Sequence, residues 1–334
     1  MRAAYRADYC DVDQIELRDL PLPEPGPLEL RVRVAATTVN RTDCHNLTGK
    51  PWMMHLALGV GRPRLPTVGT DVVGVVDALG ADVRGWQVGD ALWGFKDMGL
   101  GSQAEFACVS VRDPVLPLPA GVDPLAAVAS LEGPHYALNF LNKVSLQPGQ
   151  RALVYGAMGA VGSAILQLAR SKGVQVTGIC GSADLASSAA LGNPTLLNYE
   201  TGELDAHRER YDYFFDAVGK RSYGFARRWL ADDGIYISSE LGAGWQNLWL
   251  TLAGRLTGRR RVRFPLPLRP RDSMRTMADQ LVAGSYRPLI DRRFSLADIR
   301  DAYRYVDSGR KQGNVALIVD ADLLERMSAD TEPD

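Results

Sequence analysis

Arg151-Ala152-Leu153-Val154-Tyr155-Gly156-Ala157-Met158-Gly159-Ala160-Val161-Gly162 is the stretch that decides the fold. Arg151 to Tyr155 reads as a buried strand, and the glycines after it open a helical stretch from Ala160 to Ser171. Glycine at 156, 159 and 162 permits a tight turn and brings the backbone close to a pyrophosphate, which the free N–H groups at the helix start face. The string alone is a weak signal, because a strand-to-helix turn without a ligand reads the same way. Its setting carries the weight: a second strand, Val174 to Cys180, follows the helix, so the glycines sit inside a βαβ unit.

Downstream the same texture continues. A helix is expected over Asp184–Leu191, a strand over Tyr211–Ala217, a helix over Tyr223–Leu230 and a strand over Gly234–Ser239. Such alternation predicts a parallel sheet. Upstream, Met1 to Pro119 is strand-like and broken by Gly and Pro, with runs at Leu28–Val39, Asp71–Leu79 and Phe106–Val111 that suit antiparallel strands. Four prolines between Pro114 and Pro124 mark a hinge between the two textures. A helix opening at Ser295 and a strand over Asn314–Val319 close the chain.

Length and composition agree with two domains: 334 residues, at roughly 150 per domain, with 46% hydrophobic residues to fill two cores. Lys+Arg 38 against Asp+Glu 39 leaves a net charge of −1, which gives no global attraction to nucleic acid or anionic membrane. Cys10, Cys44, Cys108 and Cys180 stand singly, indicating neither a disulfide framework nor a thiolate zinc knuckle. The charged first residues lack an apolar signal core, and no run approaches the roughly 18 apolar residues that span a bilayer. A cytoplasmic protein is expected.

The end of the second strand bears on coenzyme choice, since a carboxylate there bonds the 2′-hydroxyl of NAD and repels the 2′-phosphate of NADP. Cys180-Gly181-Ser182-Ala183 has no acid. Ser182 and Tyr199 favour NADP; Asp184 nearby and the lack of Lys or Arg at the tip leave NAD open.

With these residues in hand, the sequence resembles the medium-chain dehydrogenase/reductase superfamily, in its zinc-independent quinone oxidoreductase-like branch. The matching stretches run nearly end to end: the opening MRAAY, Leu22 to Pro27, Val39 to Asp43, Val68-Gly69-Thr70-Asp71, Gly89-Asp90, the glycine turn, Asp216 to Gly219, and Gly313 to Ile318. The resemblance implies an α/β protein with a GroES-like β-rich catalytic domain (residues 1–124 plus 286–334) and a Rossmann doubly wound parallel sheet (125–285), the coenzyme lying between them. It implies coenzyme contacts from Arg41, from Gly156, Ala157, Met158, Gly159, Ala160, Val161 and Gly162, and from Ser182 and Tyr199. Later loops add Ala217, Val218, Gly219, Ser239, Glu240 and Leu241, and finally Asn314, where relatives commonly carry Lys. A homodimer is also implied.

In the zinc-dependent branch the metal ligands would fall at Asn40, at Thr70 followed by Asp71, and near Glu132. That is a poor set for zinc, which favours thiolate and imidazole; only Asp71, Glu132 and His45 could rescue it. Asp97 to Ala104 contains none of the cysteines of a structural zinc lobe. No metal is expected. Without a Lewis acid a simple ketone is a hard substrate, whereas hydride addition to an enone, enal or quinone spreads charge into an enolate that ordinary hydrogen bonds hold. The sequence therefore predicts an NADPH-dependent reductase of activated C=C bonds or quinones. A carbonyl reductase or alcohol dehydrogenase of the same superfamily, and a non-catalytic NADPH-binding sensor or RNA binder, are the alternatives.

Catalytic candidates follow from the same matches. Asn40 could hold a substrate carbonyl or a cofactor amide, or finish a strand-to-helix turn. Thr42 and His45 keep the spacing of a proton relay, and His45 has a suitable intrinsic pKa. Tyr136 stands at the threonine beside the nicotinamide, where a phenol could donate to an enolate. Glu132, buried near Asp71, would have a raised pKa and could donate a proton. Trp52, Met53, Met54, Leu56, Trp93, Phe95, Trp245 and Trp249 are candidates to wall a pocket for a hydrophobic small-molecule substrate. Five arginines between Arg255 and Arg263 invite a nucleic-acid reading, which the lack of interleaved aromatics disfavours.

Overall fold

The computed structural model describes residues 1–52, 54–238, 246–257 and 261–330, with backbone only at 248 and 253–257. In chain order the strands are β1 (Arg2–Tyr5), β2 (Glu16–Asp19), β3 (Glu29–Val39), β4 (Asp71–Leu79), β5 (Ala91–Phe95), β6 (Phe106–Ser110) and β7 (Val115–Pro117). Next come β8 (Arg151–Tyr155), β9 (Gln175–Cys180), β10 (Thr195–Asn198), β11 (Tyr211–Asp216), β12 (Leu230–Ser238) and β13 (Val262–Arg263). The last two are β14 (Ile290–Ser295) and β15 (Asn314–Ile318). Residues cluster into two compact units: Met1–Glu132 with Pro270–Gly284 and Ile290 onward, and Gly133–Arg269 with Ser285–Leu289.

The first unit is built on the sheet β14-β15-β3-β4-β5-β7, with β6 paired to β3 and a separate β1-β2 ribbon. Alternation along β3 explains its place. Leu30, Val32 and Val34 are buried, while Arg31 and Arg33 turn outward to Asp77 and Asp320, each at 2.6 Å. Beyond Val34 the strand is buried on both faces, where helices Pro124–Val128, Ile299–Asp307 and Ala321–Ala329 pack against it. The C-terminal β15 runs antiparallel to β3, with Val315 opposite Val39, so the end of the chain completes the first sheet.

The second unit holds the sheet β10-β9-β8-β11-β12-β13, parallel throughout. This is the doubly wound order, in which the chain starts at β8 and builds outward to one side and then to the other. The topological switch point lies between β8 and β11, and ligands of such sheets bind beyond the carboxyl ends there. The glycine turn follows β8, and Ala217 to Gly219 follow β11.

Several sequence expectations need correction. Ser182–Leu191 is a run of tight 3-10 turns rather than an α-helix, with Asp184 Oδ2 accepting from Gly181 N at its start. The helix at Tyr223 ends at Ala226, and β12 begins at Leu230. An unexpected helix, Pro270–Val282, belongs to the first unit and not to 125–285. Arg271 Nη2 fixes it by donating to the carbonyls of Val111 and Asp113 at 2.7 and 2.5 Å. Unit boundaries therefore fall after Glu132 and around Pro270 and Ser285. Trp93 and Phe95 are core residues of β5, not pocket walls, whereas Trp52 and Leu56 are exposed.

Candidate active site

The turn after β8 is shaped by contacts that only glycine allows. Gly156 has φ +75°, and a Cβ there would stand 2.2 Å from Val218 Cγ2, so the loops after β8 and β11 touch at the switch point. A Cβ on Gly162 would lie 2.1 Å from the Gly156 carbonyl oxygen. Gly159, the N-cap of helix Ala160–Arg170, is different: its φ is −76°, and a Cβ would meet only the Gly156 oxygen at 3.5 Å. The protein itself does not require glycine there. A cradle left open before the unpaired N–H groups of a helix start fits a dinucleotide pyrophosphate. Ala157 and Met158 turn their side chains into the core, leaving backbone to face a ligand.

The loop after β11 is organised by Asp216, which is buried and accepts from the backbone N–H of Val218, Gly219 and Arg221 at 3.2, 2.8 and 2.8 Å. Burial raises the Asp216 carboxyl above its usual range, opposed by those bonds. At the end of β9, Ser182 Oγ accepts from Asn198 Nδ2 at 2.8 Å, and Tyr199 stacks on Tyr155 with centroids 6.2 Å apart. Two carboxylates also reach this point: Asp184 accepts from Gly181 N and Glu200 from Ser182 N, each at 3.0 Å.

In the first unit a buried polar network surrounds Asn40. It caps helix Arg41–Thr48: its Oδ1 accepts from Asp43 N at 2.8 Å, and its own N–H donates to Asp43 Oδ2 at 3.0 Å. Its Nδ2 donates to Thr70 Oγ1 and Thr38 Oγ1 at 2.8 and 3.3 Å. The Asn40 amide thus has its full set of partners inside the fold, which is the turn-finishing reading. Asp71 accepts from Thr37 Oγ1, Thr38 N and Thr38 Oγ1. Burial raises both Asp43 and Asp71. The bonds from Thr37 and Thr38 oppose the rise at Asp71, while the neighbouring Asp71 charge pushes Asp43 further up. Tyr303 and Gln103, joined at 2.8 Å, close the network, which residue spacing did not reveal.

Glu132 lies at the start of helix Glu132–Leu141, where Thr42 Oγ1 donates to its Oε1 at 3.0 Å. Burial pushes its carboxyl up to about 7, against the pull of Lys311 and the Thr42 bond. Lys311 was missed in the sequence. Burial lowers its ammonium, which donates to the Gly313 carbonyl at 2.6 Å. Thr42 therefore bonds to Glu132, and among the described residues no hydrogen bond joins it to His45. Burial and Arg41 lower the His45 imidazole. Tyr136, one turn along from Glu132, meets the His135 ring edge-on at 5.7 Å. Arg41 is an exposed partner of Asp307 at 3.5 Å, and Asn314 is buried in β15.

Ser239, Glu240, Leu241, Met53 and Trp245 lie outside the described residues. Of the arginine cluster, Arg263 donates to the Lys143 carbonyl and Arg261 pairs with Asp233 at 3.9 Å. As a zinc set, Asn40, Thr70 and Glu132 do not fit: the first two are neutral and bonded to each other, and among the described residues no thiolate or imidazole joins them in a metal-binding group. No group of three or more His, Cys, Asp or Glu residues suited to a metal occurs among the described residues. Nor is any described helix long and apolar enough to cross a membrane.

Comparison with known proteins agrees with this architecture. Residues 26–120 match the alcohol dehydrogenase GroES-like domain, and residues 191–317 match the zinc-binding dehydrogenase model. The chain is 28% identical over 330 residues to a quinone oxidoreductase of Pseudomonas aeruginosa, covering 93% of this chain and 98% of the relative. It is 26% identical over 340 residues to the chloroplastic NADPH-dependent alkenal/one oxidoreductase of Arabidopsis thaliana, covering 95% of this chain and 79% of the relative. The quinone oxidoreductase structure from Coxiella burnetii superposes with a TM-score of 0.82 at 23% identity, covering 96% of this chain and 99% of that one. The chain belongs to the medium-chain dehydrogenase/reductase superfamily, in its quinone oxidoreductase-like branch.

Proposed function

We propose that this protein is an NAD(P)H-dependent reductase acting on an activated C=C bond, as in an enone or enal, or on a quinone. The observation that carries the reading is Glu132: a buried carboxyl held by Thr42 Oγ1 at 3.0 Å, which burial pushes up to about 7, near the position where the zinc-dependent branch keeps a metal ligand. Relatives named as quinone and alkenal/one oxidoreductases support the acceptor class.

Bound NAD(P)H supplies a hydride from C4 of its nicotinamide. Gly156 to Gly162 would hold its pyrophosphate at the helix start, and Ala217 to Gly219 lie at the switch point beside them. Thr42 donates to Glu132 Oε1, which leaves Oε2 to carry the proton. Glu132 delivers that proton to the enolate left by hydride addition and is recharged from solvent. Tyr136 donates a hydrogen bond to the same developing charge, while Asn40 and Asp71 act by holding the helix that carries Thr42. His45 and Arg41 are assigned supporting positions on that helix. Ser182, Tyr199 and the name of the Arabidopsis relative support NADPH; the carboxylates at the end of β9 pull toward NADH. A hydrophobic small-molecule acceptor, a homodimer and a cytoplasmic location complete the reading.

The test is oxidation of NADH and NADPH against a panel of quinones, enals, enones and saturated ketones. Turnover of conjugated acceptors with saturated ketones at least about 100-fold slower is expected. Equal turnover of saturated ketones would favour the carbonyl reductase reading, and coenzyme binding without turnover the sensor. Exhaustive dialysis against a chelator leaves activity unchanged, because the residues at the ligand positions are a poor zinc set; activity lost on dialysis and restored by Zn²⁺ would overturn this.

A further inference from the structure

Coenzyme choice in a doubly wound sheet is read at the carboxyl end of the second strand, where the 2′ substituent of the adenosine ribose lies. Here that strand is β9, and its own residues bring no acid. The neighbouring strand supplies one. β10 pairs parallel to β9 with Asn198 opposite Cys180, so Glu200, two residues on, comes to lie beside Gly181 and Ser182. Glu200 Oε2 accepts from Ser182 N at 3.0 Å, and its Oε1 lies 3.1 Å from where a Cβ on Gly181 would stand.

The placement is held from three sides. Glu200 N donates to Asn198 Oδ1 at 2.8 Å, Asn198 Nδ2 donates to Ser182 Oγ at 2.8 Å, and Glu203 Oε2 accepts from Asn198 N at 2.9 Å. The Ser182 bonds hold the Glu200 carboxyl below its usual range, so it is charged at neutral pH. Asp184 adds a second charge by accepting from Gly181 N. Arg221, over the Tyr155 ring at 4.8 Å, is engaged with the Tyr155 hydroxyl at 2.6 Å.

We propose that Glu200 is the coenzyme-discriminating residue of this chain, accepting hydrogen bonds from the ribose hydroxyls of NADH and repelling the 2′-phosphate of NADPH. It rests on the dinucleotide site of the proposed function and adds the residue that sets its selectivity. A phosphate monoester carries nearly two negative charges at neutral pH. A carboxylate within a few ångströms of it lowers affinity by about 10-fold or more even in a solvated site.

The experiment is a fluorescence titration of the protein with NADH and with NADPH, in the wild type, Glu200→Gln and Asp184→Asn, with circular dichroism to verify folding. Gln keeps an oxygen for Ser182 N and removes the charge. The wild type is expected to bind NADH at least as tightly as NADPH, and Glu200→Gln to shift the ratio toward NADPH by about 10-fold, with a smaller shift in Asp184→Asn. A ratio unchanged in Glu200→Gln, a larger shift in Asp184→Asn, or a wild type that prefers NADPH by about 10-fold would each overturn the assignment while leaving the dinucleotide site intact. Failure of the folded wild type to bind either coenzyme would overturn the site and this inference with it.

Discussion

Glu132→Gln is expected to lower turnover of an enone or quinone by about 100-fold at neutral pH, the size of effect that a positioned general acid supplies, with little change in coenzyme affinity. Gln accepts the Thr42 hydrogen bond as Glu does, so the loss reports the proton and not the fold. The pH dependence follows from the same group. Its carboxyl sits at about 7, above the ordinary 4.5, so the acid form is populated below about 7 and turnover falls as pH rises through that value. In the variant this limb is absent. A wild-type profile flat across the range, or a variant with full turnover, would remove Glu132 from the mechanism.

Stability carries a second signature. The folded protein binds the Glu132 proton more tightly than the unfolded chain does. The contribution of this proton is complete below about pH 4.5 and is lost as pH rises through about 7, a total of about 3 kcal/mol. Gln does not ionise. The variant therefore matches wild type in acid and is the more stable of the two, by up to about 3 kcal/mol, above neutrality. Urea midpoints near pH 5 and pH 8 measure the difference. A variant more stable yet less active is what a carboxyl retained for chemistry produces.

Gly162→Ala and Gly159→Ala are expected to separate folding from binding within one turn. At Gly162 the new Cβ would stand 2.1 Å from the Gly156 oxygen and 2.8 Å from its carbonyl carbon. Both are backbone atoms in the turn and cannot rotate away, so the turn must move. We expect a loss of about 3 kcal/mol or more of stability, together with loss of coenzyme binding. At Gly159 the backbone is extended and the nearest atom is 3.5 Å away, so Ala is tolerated by the fold. There the methyl fills the space reserved for the pyrophosphate, and coenzyme affinity falls about 100-fold or more with the melting temperature of the free protein unchanged. Equal stability loss in both variants would show that Gly159 serves packing and not the ligand.

What was legible in the sequence was local. Arg151–Tyr155 and the turn after it are contiguous, so their period and glycines declare a strand, a turn and a helix without reference to the rest of the chain. Asn40 and Asp43 stand at capping-box spacing, and the box forms. Where local signals are weak, the structure departs from them. Ser182–Leu191 has small residues that support either helix type, and the prolines ahead of Pro270 hid the helix that begins there. Lys311 carried no signal beyond a lysine near a glycine, because its significance is its influence on Glu132, nearly 180 residues earlier.

The layered α/β plan and the glycine turn after β8 were legible in the chain, since each depends on residue type at fixed short spacing. Which side chains meet depends on long-range folding. Parallel pairing of β10 with β9 carries Glu200 to a strand end that has no acid of its own, and the fold around helix Arg41–Thr48 brings Thr42 to Glu132. Charge and proton affinity at a site depend on burial and on neighbours brought from distant parts of the chain. Residue order does not state those distances.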